Sequence, residues 1–298
     1  MDSPRALPYV ATCRNQADGP DMLIDNHALL IGAMKCGTST LFSLLAQHPQ
    51  ICPAKVKEPE YFARNQDHRV EVERYEDLWD CPSPDMIRLE ASTGYSKWPG
   101  EQGVPERIRD AGLSPRFLYI TRDPIKRIES HWNHLRKLSH FDLSSGVNDQ
   151  FVHTSRYHAQ LARFREVFPE RERYMVMEFD ELLRDPVGMA RRCFEFLGVD
   201  ATFEPKERSE NLTHPLSTLE LRLERLGLGN AGAWLPVPVK SALRKLLRRG
   251  EAAPAMKLDD AQQAQIRALL REDMLALQRD YGIDVAPWGL ESIDSRTG

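Results

Sequence analysis

One lysine, two glycines and three hydroxyl side chains crowd into a single short stretch, Leu29 to Phe42, which reads LLIGAMKCGTSTLF. Gly32 and Gly37 bracket Lys35 and Cys36, and Thr38, Ser39 and Thr40 follow at once. A glycine-punctuated turn between an apolar strand and a helix aims backbone N–H groups, and the positive end of the helix, at an anion. Lys35 adds a charge and the hydroxyls add donors, so the chemistry offered is binding of a phosphate or sulfate. The order is not that of the nucleotide triphosphatase loop, G-x-x-x-x-G-K-[ST], because Lys35 here precedes the second glycine. No predicted strand ends in an acidic pair suited to Mg²⁺, and the nearest candidate, FLYITRD, ends in Arg122 and Asp123. The anion is therefore expected to be held without a metal.

A second anion signal lies in FLYITRDPIKRIESHWNH, Phe117 to His134. Arg122 closes an apolar run, and a guanidinium presents a planar fork of donors that suits phosphate oxygens. Ser130 lies eight residues on, in a predicted helix, and reaches the same anion if the turn folds back. HPQICPAKVKEPEYFA carries two carboxylates close together, Glu58 and Glu60, next to Lys57. Ser92 and Thr93, in EASTGY, end a predicted strand and are candidates to line the acceptor side. His131 and His134 are three apart, but no third ligand has matching spacing, so His131 is read as acceptor-facing and no metal site is assigned.

Positioning these groups requires strands that end where the loops begin. Strands are predicted at HALLIGAM, Met86 to Ser92, Arg116 to Thr121 and Arg173 to Phe179, each short and apolar. Helices are predicted over TSTLFSLLAQH, about Pro124 to Lys137, Ser155 to Val167, and PVGMARRCFEFLGV ending at Gly198. Ile266, Leu270, Met274, Leu277 and Tyr281 trace one face of a long C-terminal helix. Strands alternating with helices indicate an α/β fold, one domain with a central, mostly parallel sheet flanked by helices. Residues 1–26 read as an irregular arm, 27–290 as the domain, and about 208–255 as a lid or acceptor-binding subregion.

The two anion signatures, in this order, resemble the 5′-phosphosulfate loop and the 3′-phosphate motif of sulfotransferases that use 3′-phosphoadenylyl sulfate (PAPS). The resemblance runs from Leu29 to Trp288, through EASTGY, the stretch from Ser155 to Pro186 and the terminal LREDMLALQRDYGIDVAPW. EPEYF resembles the E-x-x-[FY]-F segment of glycan-type and bacterial members, in which the first Glu is the base. The resemblance thus implies a P-loop-like sulfotransferase fold, PAPS as donor and adenosine 3′,5′-bisphosphate (PAP) as product. It implies that residues 35–40, Arg122 and Ser130 bind the donor, that Lys35 also stabilises the leaving phosphate, that Glu58 is the base with Glu60 the competing carboxylate, and that Lys57 contacts the sulfate or the acceptor. Tyr157 resembles a position near the 3′-phosphate. Arg208 falls where the family has a loop closing over the nucleotide, although the usual basic and glycine residues of that loop are not clear here.

Composition bounds the partners. The 298 residues carry 40 Lys and Arg against 44 Asp and Glu, a net charge of −4, which argues against non-specific nucleic-acid binding. No apolar run is long enough for a signal peptide or a membrane span, so a cytoplasmic enzyme without an integral membrane segment is expected. The five cysteines are irregularly spaced and lack C-x-x-C, so reduced thiols are expected. VKSALRKLLRRG, within 239–250, is a basic amphipathic stretch, read as a solvated face or, through 239–249, a peripheral membrane contact. The acceptor is expected to be a glycan or a small molecule such as a secondary metabolite, sulfated on a hydroxyl rather than an amine; the oligomeric state is not legible. Two other readings are a P-loop kinase, disfavoured by the Lys–Gly order, and a nucleotide-binding module without turnover.

Overall fold

Ala28, Leu29, Leu30 and Ile31 offer water no polar face, and all four are buried. In the computed structural model, which describes residues 24–64, 72–135, 149–206 and 255–290, they form β1 (His27–Gly32) at the centre of a five-stranded sheet. The other strands are β2 (Ile51–Pro53), β3 (Ile87–Ala91), β4 (Arg116–Thr121) and β5 (Tyr174–Glu178). Their spatial order is β2-β3-β1-β4-β5, and every pairing is parallel. Near-continuous apolar runs in β1 and β4 are what a parallel sheet covered on both faces demands.

The helices are α1 (Thr38–Leu45), α2 (Val104–Asp110), α3 (Pro124–Leu135), α4 (Asp149–Thr154), α5 (Tyr157–Arg165), α6 (Phe179–Arg184), α7 (Pro186–Leu197) and α8 (Asp260–Tyr281). α1 packs on α7, and α8 packs on α5. The chain leaves β1 toward β2 on one side and leaves β4 toward β5 on the other. Right-handed crossovers in opposite directions put their helices on opposite faces and open a crevice where β1 and β4 end side by side. In register, Leu30 pairs with Leu118 and Gly32 with Tyr119, and Ala33 N donates to Ile120 O at 2.8 Å. The loops after these two strands therefore start from neighbouring points.

The four predicted strands are present, with β4 spanning the expected residues and the others shorter by one or two at an end. The short edge strand β2 and helices α2, α4 and α6 were not expected from the sequence. Three residues ending in proline carry little strand signal of their own, and β2 exists because Ile51 to Pro53 pair with Ile87 to Leu89. In α8 the expected apolar face is buried at Ile266, Leu270, Met274 and Leu277, and Asp273 is buried among them. Arg208, the stretch 239–249 and the subregion 208–255, except its last residue, lie outside the described residues.

The expectation of reduced thiols needs correcting. Cys52 in β2 and Cys81, after the 3₁₀ turn Tyr75–Leu78, form a disulfide with Cα atoms 5.6 Å apart. Twenty-nine residues separate them, so the pairing depends on the fold and leaves no local spacing signal. Cys36 and Cys193 are free and buried. A cytoplasmic setting inferred from reduced thiols loses that argument. The crosslink restrains the unfolded chain, and for a loop of this size that is worth about 3 kcal/mol. Cys81→Ser should accordingly lower the unfolding free energy by about 3 kcal/mol in denaturant titration under oxidising conditions, and a reductant should lower the wild type to the same level.

Candidate active site

The turn after β1 is built from two left-handed residues, Lys35 with φ 69° and Gly37 with φ 88°. Cys36 N donates to Ala33 O at 3.1 Å, and the first intrahelical bond runs from Leu41 N to Gly37 O at 3.1 Å. α1 has no side chain capping its N-terminus and no acidic residue in its first turn. Its leading N–H groups, those of Thr38, Ser39 and Thr40, have no intrahelical acceptor, an arrangement suited to an anion. Thr38 is buried, Ser39 and Thr40 half-buried. The Cys36 side chain faces the core, 3.9 Å from the Tyr157 hydroxyl, and burial pushes its thiol up to about 11, so it stays uncharged. Gly37 has no room to be anything else: a Cβ there would lie 2.7 Å from the Phe179 ring.

Arg122, just beyond β4, is drawn to the same spot. Its Nη1 donates to the Lys35 carbonyl at 3.1 Å, and its guanidinium lies 4.4 Å from the centroid of Phe179. Its Nε is buried with no hydrogen-bond partner among the described residues. Tyr157, fully buried, donates its hydroxyl to the Arg122 carbonyl at 2.8 Å. Tyr157 opens α5, whose His158 and Ala159 N–H groups donate to Asp273 of α8 at 3.0 and 2.8 Å. A hydrogen-bonded line thus runs from α8 through α5 and Arg122 to the Lys35 turn. Ser130 sits half-buried on α3.

Beside Ser130, His131 is buried against Phe151, with ring centroids 4.8 Å apart. Burial first, then Arg127, Lys97, His134 and Lys35, pushes its imidazole down to about 2, so it is neutral. Arg127 is wholly buried, donating to Ser155 Oγ at 2.6 Å and Phe151 O at 2.8 Å. A cation this deep adds positive potential behind the phosphate turn.

The third part is the loop 54–63. Glu58 is half-buried and pairs with Lys57 at 2.5 Å, while Thr93 Oγ1 lies 3.4 Å from its other oxygen. Glu60 is wholly buried, and its Oε1 accepts from Gly94 N at 2.9 Å. Ser92 is buried beneath the loop, accepting from Glu60 N at 3.0 Å and donating to Glu90 Oε1 at 2.5 Å. Loop and strand end thus bring Glu58, Lys57, Glu60, Ser92 and Thr93 together, and the turns after β1 and β4 bring together Lys35, Arg122 and Tyr157.

Sequence reasoning missed Phe179, the shared support of Gly37 and Arg122, and Lys97, whose charge acts on both Glu60 and His131. It also missed Arg127. For Phe179 a signal existed: it follows the end of a parallel strand, where ligands gather in such sheets. Among the described residues no cluster of three or more His, Cys, Asp or Glu side chains could hold a metal, and no helix is long and apolar enough to cross a membrane.

Residues 25–222 match the Sulfotransferase domain family, more than half of the chain. The human heparan sulfate glucosamine 3-O-sulfotransferase 5 is 27% identical over 188 residues, covering 58% of this chain and 53% of that protein. The human bifunctional heparan sulfate N-deacetylase/N-sulfotransferase 3 is 25% identical over 197 residues, covering 57% of this chain and 22% of that one. The chain therefore spans about half the length of the first of these relatives, or less. A crystal structure of a sulfotransferase from Alicyclobacillus acidocaldarius shares the fold, with a TM-score of 0.62 and 23% identity over 88% of this chain and 98% of that one. Because a methyl group at residue 37 would strike Phe179 and strain a left-handed turn, Gly37→Ala should lower the thermal midpoint by several degrees in scanning calorimetry.

Proposed function

The chain belongs to the sulfotransferase family, and from that premise we propose that it moves a sulfuryl group from PAPS to an acceptor hydroxyl. The observation that carries this reading is the convergence of the β1 turn and Arg122, joined by the bond to the Lys35 carbonyl, with Arg122 Nε buried and unclaimed among the described residues. Residues 35–40 fit one anionic end of the donor, through the uncapped start of α1. Arg122, with Ser130, fits the other. Tyr157 acts on the 3′-phosphate end through Arg122, whose carbonyl it holds. In this reading 27–290 is one catalytic domain.

When bound, the donor supplies an activated sulfuryl group on a phosphate leaving group. Glu58 takes the acceptor's proton as its oxygen bonds to sulfur, and Lys35 offsets the charge left on the phosphate oxygen. The remainder is positioning, by the same logic as phosphoryl transfer. Lys57 neutralises Glu58 at rest and is placed to meet the acceptor. The buried, neutral His131 belongs to the wall behind the donor rather than to the acceptor face. No metal takes part in this scheme.

For the acceptor we propose a glycan or a small hydroxylated metabolite. Two relatives are named for heparan sulfate, one as a 3-O- and one as an N-sulfotransferase, which supports a glycan and favours the hydroxyl without dismissing an amine. Glu58→Gln should leave PAP affinity within about twofold while kcat falls about 10² or more. Lys35→Ala should lower both. The assay is labelled sulfate transfer from PAPS into a panel of glycans and metabolite extracts, read by mass spectrometry. Transfer that persists in EDTA separates this enzyme from a kinase, and full activity in Glu58→Gln would remove Glu58 as the base.

A further inference from the structure

Glu58 does not sit on a rigid element. It lies in a loop where both it and Glu60 adopt left-handed backbone, with φ of 58° and 54°. Each such residue costs roughly 1 kcal/mol or more, so the conformation has to be imposed by contacts outside the loop. The contacts that hold Glu58, Glu60 and the Phe62 N–H come from the end of β3 and the turn that follows, while Arg107 of α2 donates to the Phe62 carbonyl at 2.6 Å. Glu58 N donates to Ala91 O at 2.8 Å, Glu60 N to Ser92 Oγ at 3.0 Å and Phe62 N to Tyr95 Oη at 3.1 Å. In the opposite direction, Gly94 N donates to Glu60 Oε1 at 2.9 Å. Beneath them, Ser92 is fixed by Glu90, whose other oxygen takes the Tyr75 hydroxyl.

Of the two carboxylates in EPEYF, only Glu58 is open to an acceptor. Glu60 is 0% exposed, and the space beside it is filled: a Cβ on Gly94 would lie 2.1 Å from its Oε2. The similar pair has been divided by burial into two jobs.

We propose that Glu60 is a positioning residue, which latches the base-bearing loop to the β3 end through Gly94 and so sets where Glu58 stands. This rests on the reading of Glu58 as the base. The groups facing Glu60 are Glu58 from its own loop, Glu90 from β3, and Tyr95 and Lys97 from the turn after β3. Burial pushes Glu60 up to about 7, the Gly94 N–H and Lys97 oppose this, and Glu58 and Glu90 add to it. Ionised Glu60 makes a charge-assisted bond to Gly94, which is stronger than the bond to the neutral acid. The latch therefore tightens as pH rises through about 7 and loosens as pH falls below it.

The test measures kcat, acceptor KM, PAP affinity and pH dependence for wild type, Glu60→Gln, Glu60→Ala, Gly94→Ala and the double variant Glu60→Ala/Gly94→Ala. Glu60→Ala is expected to lower kcat tenfold or more with PAP affinity unchanged within twofold. Gly94→Ala should do the same by displacing the carboxylate. The double variant should be no worse than either single, because each removes the same contact. Glu60→Gln keeps an oxygen for Gly94 and should fold, but should lose the rise of kcat through pH 7. A Glu60→Ala enzyme with wild-type kcat and pH profile overturns the proposal, as does a loss of PAP affinity in step with kcat. If the wild type transfers nothing from PAPS, the sulfotransferase reading fails instead. Hydrogen exchange then still tests the latch: Glu60→Ala should speed exchange at Gly94 and Phe62 tenfold or more, and unchanged exchange would sink it.

Discussion

The hydrogen bond from the Arg122 guanidinium to the Lys35 carbonyl is the contact on which the site turns. It ties the loop after β1 to the loop after β4, two segments nearly ninety residues apart in sequence. It is possible only because the two strands lie side by side and the connections leaving them diverge. Phe179, following the end of β5, completes the arrangement by packing beneath both Gly37 and Arg122. Three consecutive strand ends of one sheet thus converge on a space suited to an anion. Few cations are needed there, because helix α1 and buried Arg127 contribute positive potential alongside Lys35 and Arg122. A chain of net charge −4 can in this way present a locally positive site.

The turn after β1 and the Arg122 strand end were legible in the sequence, since their geometry is encoded locally. Gly32, Lys35, Gly37 and the hydroxyl run lie within one strand-turn-helix, and Arg122 directly ends a strand. Strand and helix types were legible for the same reason, as the apolar runs of β1 and β4 need no knowledge of their neighbours. What escaped was whatever depends on long-range pairing. β2 exists through β3, the Cys52–Cys81 bond joins residues with no local pattern, and Phe179 acts across the sheet. The roles of Ser92 and His131 were blurred similarly. Their residue types suggested acceptor contacts, while both side chains are buried.

The contrast between Glu58 and Glu60 shows how one chemical group serves two ends within three residues. Half-burial beside Lys57 leaves Glu58 accessible and ion-paired. Complete burial under the β3 turn makes Glu60 a structural acceptor whose charge depends on pH. Sequence spacing alone does not separate them, because both lie in a loop with no helical or strand periodicity to say which way a side chain faces.

Asp273 has a consequence for how the molecule is assembled. It closes the first turn of α5 from α8, across 114 and 115 residues of chain. During synthesis the sheet and α1 can form as soon as β5 emerges, but the first turn of α5 lacks its cap until α8 has been made. Tyr157 is the first residue of that turn and the brace of Arg122. The brace of Arg122 therefore depends on one of the last segments of the chain to be made.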